Sequence, residues 1–351
     1  MNAPLNHFEE LESRQLLSTA GGALVTSSVN AGVLNIRGSQ FKDVMTVRPN
    51  GNRIEVWDQR IAESTGTLFE PMQVKMVDVS AAGITRIEVH GWFGNDEIRI
   101  EHGLPAATLF GDEDNDKLHG GDGDDDLYGG PGDDHLWGHG GSDYLIGGSG
   151  ADRFDGGRDS SGADFDIVSY QDRTNTVYVT YNSDVSVEVL GGDDGESGEH
   201  DDVEDNVECV FGGEGDDQLS ADGARDDRGH WIYGCGGNDT ITCSKNNDVA
   251  FGGNGNDYIY GRGGNDFLYG ENGSDHLFGE AGDDFLDGTD FSGIVGRDNH
   301  YTDFLDGGDG RDTARYGVTT VFVTSYSDDR ISNCEIFKPV GEPHGQFQLG
   351  L

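Results

Sequence analysis

The sequence predicts an all-β fold: a parallel β-roll in two blocks, with an N-terminal β cap and β connector insertions. Two observations carry this. From Gly111 onward the chain repeats every nine residues, with glycine at position one, aspartate at position six and a large apolar residue at position eight. Before that, residues 32–110 alternate apolar and polar side chains in short runs separated by turn residues, the period of half-buried strands.

Residues 1–31 form an export-related or disordered segment. Leu5, Phe8, Leu11 and Leu16 would share one side of a short amphipathic helix, and neither a basic start nor a long apolar stretch marks an ordinary secretory peptide. Residues 32–110 hold strand patterns at Val33 to Ile36, Val44 to Val47, Ile54 to Trp57, Val74 to Val77 and Ile84 to Val89, and Gly94 to Ile98 is already a degenerate repeat. A solenoid needs an atypical end to close its apolar interior, so this segment is the cap leading into the roll. Residues 111–157 are the first array, and 158–211 are a β connector with an acidic, glycine-rich loop from Gly191 to Asp205. The second array spans 212–315, with insertions near 222–231 and 291–297, and 316–351 form a connector-like cap and tail.

Within the arrays, spacing dictates chemistry. Glycine at positions one, two and four permits tight turns with backbone angles that a side chain forbids, and leaves carbonyl oxygens open to a guest. Aspartate at position six adds a hard carboxylate oxygen, which suits Ca2+ with its six to eight oxygen ligands; a softer metal would need His or Cys. The candidate calcium ligands of the first array are Asp116, Asp125, Asp134, Asp143 and Asp152. Those of the second are Asp217, Asp239, Asp248, Asp257, Asp266, Asp275, Asp284, Asp303 and Asp312. Positions seven to nine make a minimal strand whose middle side chain faces inward. Two nonamers complete one coil, so Leu118, Leu136 and Phe154 should form one internal ladder and Leu127 and Leu145 the opposite one.

Some units depart from the pattern. His139, Cys235, Arg262, Glu271 and Glu280 replace the second glycine, which the turn tolerates if those residues need not adopt a positive φ. The units opening at Gly111 and Cys243 depart furthest, with Asp114 for a glycine in the first and Ser244, Asn246 and Ala250 in the second.

This nonapeptide resembles the RTX, or hemolysin-type, calcium-binding repeat, over most of residues 91–316. Asp166 to Tyr170, Val177 to Val179 and Asn206 to Glu208, echoed by Asp312 to Tyr316 and Asn333 to Glu335, resemble the connector that RTX proteins place between repeat blocks. Phe8 to Ser18 resembles the LEPR-x-LL segment near the N-termini of some exported planctomycete proteins, with Ser13 where that motif has proline. The resemblance implies several bound Ca2+ ions and an exported protein.

A net charge of -45, with 58 glycines and 34% hydrophobic residues, would by itself suggest disorder. The period argues for conditional order: folding ranks carboxylates side by side, and their repulsion opposes compaction until divalent cations sit between them. Extracellular calcium modules bind at roughly 10⁻⁴ to 10⁻³ M, which places folding outside the cell. Nucleic acid is excluded as a partner because phosphate backbones require a basic surface. No apolar run reaches 18 residues, so no helix of this chain would span a membrane. Cys209, Cys235, Cys243 and Cys334 are too few for a disulfide scaffold and are expected to be buried or free. His119, His135 and His276 fall on outward positions and are expected at the surface. Outward aromatics, Tyr258, Tyr260, Phe267, Tyr269, Phe278 and Phe285, offer a surface for a partner or simply satisfy strand propensity.

Three functional classes compete. A protease would show H-E-x-x-H and a lipase G-x-S-x-G, and neither occurs; a pore-former would show apolar helices before the repeats. The expected function is a non-enzymatic, calcium-binding extracellular protein acting as a structural, adhesive or matrix component, with a cell-surface or matrix protein or glycan as partner. The alternative is a secreted RTX-linked enzyme, a hydrolase or polysaccharide-modifying protein, whose site is built on the roll from acidic clusters.

Overall fold

The computed structural model describes residues 25–60, 72–157, 164–181, 195–196, 201–204, 206–224, 228–288, 304–310, 312–315, 322–323 and 335–336. The N-terminal motif, most of the acidic loop from Gly191 to Asp205, Asp303 and Cys334 lie outside the described residues. The chain divides into two compact units, Met1–Asp166 and Ile167–Leu351.

In the first unit, one sheet carries strands Val33–Arg37, Arg86–Phe93, Ala107–Glu113, Asp126–Pro131 and Tyr144–Ser149 side by side. The other carries Val44–Asn50, Glu97–Ile100, Lys117–Gly121, His135–His139 and Arg153–Gly157. Successive strands alternate between the two sheets and pair in parallel with the next but one, which is the winding of a solenoid. Inward residues stack in register: Met45, Ile98, Leu118, Leu136 and Phe154 on one sheet, and Ile36, Val89, Leu109, Leu127 and Leu145 on the other. All ten are 0% exposed, so each inward leucine contributes the roughly 2–5 kcal/mol that its truncation would remove.

The five strands expected before the repeats are present, and they do more than close an end. Thr26–Asn30 pairs antiparallel with Val33–Arg37, and Arg53–Arg60 pairs antiparallel with both Val44–Asn50 and Met72–Ser80. Val33–Arg37 and Val44–Asn50 then pair in parallel with the coil that follows, so the winding begins well upstream of Gly111.

The second unit is built alike. Val168, Val210, Ile232, Ala250, Leu268, Leu286 and Ala314 stack on one sheet, and Val179, Leu219, Ile241, Ile259, Leu277, Leu305 and Val323 on the other. Strands Ile167–Ser169, Val177–Thr180 and Cys209–Phe211 come from the segment read as a connector, so its described strands belong to the winding of this roll.

Two readings are corrected. The residues replacing the second glycine do adopt positive φ: His139 at 74°, Cys235 at 75°, Arg262 and Glu271 at 68° and Glu280 at 67°. The turn imposes its angle on these side chains, whereas Gly213 and Ser244 at the same position of their units do not adopt it. A side chain there costs about 1–2 kcal/mol, and glycine returns about 0.5–1 of that as unfolded-state entropy. Glu271→Gly and Glu280→Gly should therefore each stabilise the calcium-loaded fold by about 0.5 to 1 kcal/mol, read as a higher denaturant midpoint. A lower midpoint would show that the glutamate supplies something the turn needs. The second correction is His119, which is only 7% exposed although its position faces outward, because Trp137 stacks on it at 4.2 Å.

The outward aromatics stack on one another. Phe211, Tyr233, Phe251 and Tyr269 form a continuous pile with centroids 4.4, 4.7 and 4.7 Å apart and planes within 10° of parallel. Their faces are used by each other, which favours packing as their role.

Candidate metal centre

Each complete turn places the same atoms together. The Oδ1 of a position-six aspartate accepts the backbone N–H of the residue one coil earlier: Asp116 from Asp96 at 2.7 Å, Asp134 from Asp116 at 2.7 Å, Asp257 from Asp239 at 2.8 Å and Asp266 from Asp248 at 2.8 Å. Asp125, Asp143, Asp152, Asp239, Asp275, Asp284 and Asp312 repeat the contact. The aspartates thus line up in rows along the turns instead of gathering at one point.

The second oxygen differs. Oδ2 of Asp116, Asp125, Asp134, Asp143, Asp239, Asp257, Asp266 and Asp284 is buried and meets no hydrogen-bond donor. It lies against the position-one glycine of its own turn, beside the carbonyl of the position-one glycine one coil on. A Cβ on Gly252 would collide with Asp257 Oδ2 and stand 2.8 Å from the Gly270 carbonyl; one on Gly120 would do the same with Asp125 Oδ2 and the Gly138 carbonyl. Glycine at position one is therefore required by space, since its φ is not left-handed, while positions two and four take positive φ in most turns, as at Gly130 and Gly132 or Gly253 and Gly255. Two oxygens with no proton between them repel, so this donor set fits a hard cation.

Burial sets the electrostatics. Loss of solvation pushes the carboxyls of Asp116, Asp239 and Asp266 up to about 8, Asp125 and Asp134 to about 7 and Asp143 to about 9, with neighbouring carboxylates adding to the rise in most of them. Asp257 and Asp284 rise to about 6.

Two of the expected ligands are closed. Asp248 Oδ2 accepts the Ser244 N–H at 2.7 Å and its hydroxyl at 2.9 Å, and Asp217 Oδ2 accepts the Gly213 N–H at 2.6 Å. Ser244 thus fills, with its own donors, the space that glycine leaves open elsewhere. The Gly111 unit is intact: Asp112 and Asp114 take φ of 74° and 77°, and Asp116 keeps the full arrangement.

Two equivalent residues escaped the sequence reading. Asp96 is 1% exposed, its Oδ1 accepts the Asp43 N–H at 2.6 Å, its Oδ2 has no donor, and burial pushes its carboxyl up to about 8. Trp92 at φ 88° stands where its turn would have the second glycine, so the unit was read as a degenerate repeat and its aspartate was not counted among the ligands. Asp166 accepts the Asp143 N–H at 2.9 Å and lies against Gly156, so it completes a turn delayed by an insertion.

A second row runs along position five in the opposite sense. Asp216 accepts from the Asn238 N–H at 2.7 Å, Asn238 from Asn256 at 2.9 Å and Asn256 from Ser274 at 2.9 Å. Asp124 and Asp133 do likewise toward Ser142 and Ala151. The turns are stitched both ways, and the carboxylates are held without spending Oδ2.

Cys209 and Cys243 are buried and Cys235 partly so, all three as free thiols. Burial raises the Cys209 thiol to about 12 and Cys235 to about 11, which keeps both protonated and unreactive.

A comparison with curated proteins found no match. The family profile of the RTX calcium-binding nonapeptide repeat matches residues 106–136, 128–161, 233–268, 244–277, 260–295 and 301–315. Repeats of this family bind Ca2+ at multiple sites. The stacked turns, their shared oxygens and these matches agree: the chain carries RTX calcium-binding nonapeptide repeats across residues 106–315.

Proposed function

We propose that this protein is exported and folds on Ca2+ outside the cell, serving as a structural, adhesive or matrix component with no catalysis of its own. The observation that carries the reading is the set of buried, donor-free Oδ2 atoms of Asp96, Asp116, Asp125, Asp134, Asp143, Asp239, Asp257, Asp266 and Asp284, which leaves the charge of those turns uncompensated in the apo fold. The ligands on this reading are Asp116, Asp125, Asp134, Asp143, Asp152, Asp239, Asp257, Asp266, Asp275, Asp284, Asp303 and Asp312, joined by Asp96, with the glycine carbonyls completing each shell. Bound there, Ca2+ supplies charge compensation. The chain supplies the fixed spacing, the exclusion of water by the stacked glycines and the amides that orient each carboxylate.

Circular dichroism of the purified chain should show β-structure appearing cooperatively at roughly 10⁻⁴ to 10⁻³ M calcium and vanishing with chelator. A spectrum indifferent to calcium would overturn the folding mechanism. Fractionation of native cells tests the location: the protein should be found outside the membrane and be released by chelator without an accompanying hydrolytic activity that tracks the pure chain.

A further inference from the structure

The outward face of the second sheet in the first unit runs against the charge of the chain. In-register stacking puts Lys117, His135 and Arg153 in one row, and Arg99, His119 and Trp137 in the next. Neighbours in such a row stand about 4.8 Å apart. A chain with 22 Lys and Arg against 67 Asp and Glu has no compositional reason to gather cations here. Three acidic side chains border this face: Glu97 opposite Lys117 and 3.5 Å from Arg99, Asp155 opposite Trp137, and Asp122 near His139.

The imidazoles fix which way the donors point. A guanidinium only donates, so Arg99 Nη2, 3.1 Å from His119 Nε2, leaves the His119 proton on Nδ1. That Nδ1 lies 3.1 Å from His139 Nε2, which must accept, so the His139 proton sits on its Nδ1 at the outer end of the chain. Trp137 braces the arrangement, stacked on His119 at 4.2 Å and on His135 at 3.4 Å. Both of its faces are used, so it is no platform for a sugar ring. What the face presents is an ordered set of N–H donors and cations. Lys117 is exposed, and the Arg99 side chain is 43% exposed.

We propose that this face binds an anionic polysaccharide, its carboxylate or sulfate groups seated on Lys117, Arg153 and Arg99 while His139 Nδ1 donates to one of their oxygens. The cations repeat along the stacking direction, Lys117 and Arg153 two strands or about 9.6 Å apart, which suits an extended chain with spaced charges and not a single small anion. The acidic turns on both edges of the sheet repel a ligand as wide and as densely charged as a nucleic acid duplex. This inference rests on the matrix role proposed above and supplies its partner, but its test depends only on folding.

The full chain, folded in saturating calcium, is titrated with a chondroitin sulfate oligosaccharide and with an oligogalacturonate too short to gel, which separate sulfate from carboxylate recognition. A neutral dextran oligomer and a DNA duplex of equal length serve as comparisons. Wild type should bind at least one anionic sugar with salt-sensitive affinity, and the Lys117→Glu, Arg153→Glu double variant should weaken it by about tenfold or more. Calcium-driven folding, followed by circular dichroism, should stay at its wild-type midpoint; if the double variant shifts it, Lys117→Gln with Arg153→Gln repeats the comparison. Binding to neither anionic sugar, equal binding to dextran, tighter binding to DNA, or unchanged affinity in the folded charge variants would each overturn the proposal. Failure of the calcium-driven folding itself would overturn the matrix reading, a result the titration distinguishes.

Discussion

Asp257→Asn should remove one calcium ion from the loaded protein and shift its folding toward higher calcium, whereas Asp248→Asn should leave the calcium stoichiometry unchanged. The two residues sit in adjacent turns and make the same Oδ1 contact, Asp257 with the Asp239 N–H and Asp248 with the His230 N–H at 2.6 Å. They differ at Oδ2, bare in Asp257 and occupied by Ser244 in Asp248. Asparagine keeps an acceptor for the amide, so the substitution isolates the loss of the charged oxygen. A site with affinity of roughly 10⁻⁴ to 10⁻³ M contributes about 1.4 to 2.7 kcal/mol at about 10 mM calcium, and that is the expected cost at Asp257. Calorimetric titration of both variants reads stoichiometry directly. If Asp248→Asn loses the ion and Asp257→Asn keeps it, the division into open and closed turns is wrong.

Acid should partly replace calcium. The buried carboxyls have folded-state values near 6 to 9 where the unfolded value is 3.8, so the apo fold binds more protons than the unfolded chain between those limits. With folded values raised, the apo fold is favoured by protonation at the acid end of that window, and this support is lost as pH rises through the folded values. In chelator, β-structure should therefore return as pH falls from about 8 to about 5. Calcium must displace those protons from the same carboxyls, so more calcium should be needed to load the sites as pH falls through that range. Circular dichroism in chelator across the pH range tests this, and a chelated chain that unfolds further on acidification would contradict it.

Much of this was legible in the residues. The nine-residue period gave the parallel winding, and the identity of positions six and eight gave the carboxylate rows and the interior: every described position-eight residue from Leu118 to Phe154 is fully buried. What escaped did so for local reasons. Asp96 was passed over because its unit, with Trp92 in place of the second glycine, read as degenerate although Trp92 takes the positive φ of the intact turns. Asp166 was hidden because an insertion separates it from Gly156, and spacing along the chain cannot show that two residues meet in space. Ser244 was read as a damaged glycine, whereas its hydroxyl and amide complete the coordination of Asp248 by hydrogen bonds. The Asn and Asp residues at position five were visible as a composition but carried no meaning until each was seen to accept the next coil's N–H.

The opposed sense of those two rows makes the ends of any stack of coils different. Where a stack begins, position-six carboxylates lack an amide to accept and position-five amides lack an acceptor; where it stops, the reverse holds. Each unmatched group costs about 1–3 kcal/mol if it is kept from water. The two ends are therefore complementary plugs and sockets: a roll stripped of its atypical first strands would present to a second molecule the very pattern that the last coil of that molecule lacks. In this protein the Asp43 N–H fills the Asp96 socket at 2.6 Å, so the segment ahead of the repeats supplies the amide that a preceding coil would otherwise give.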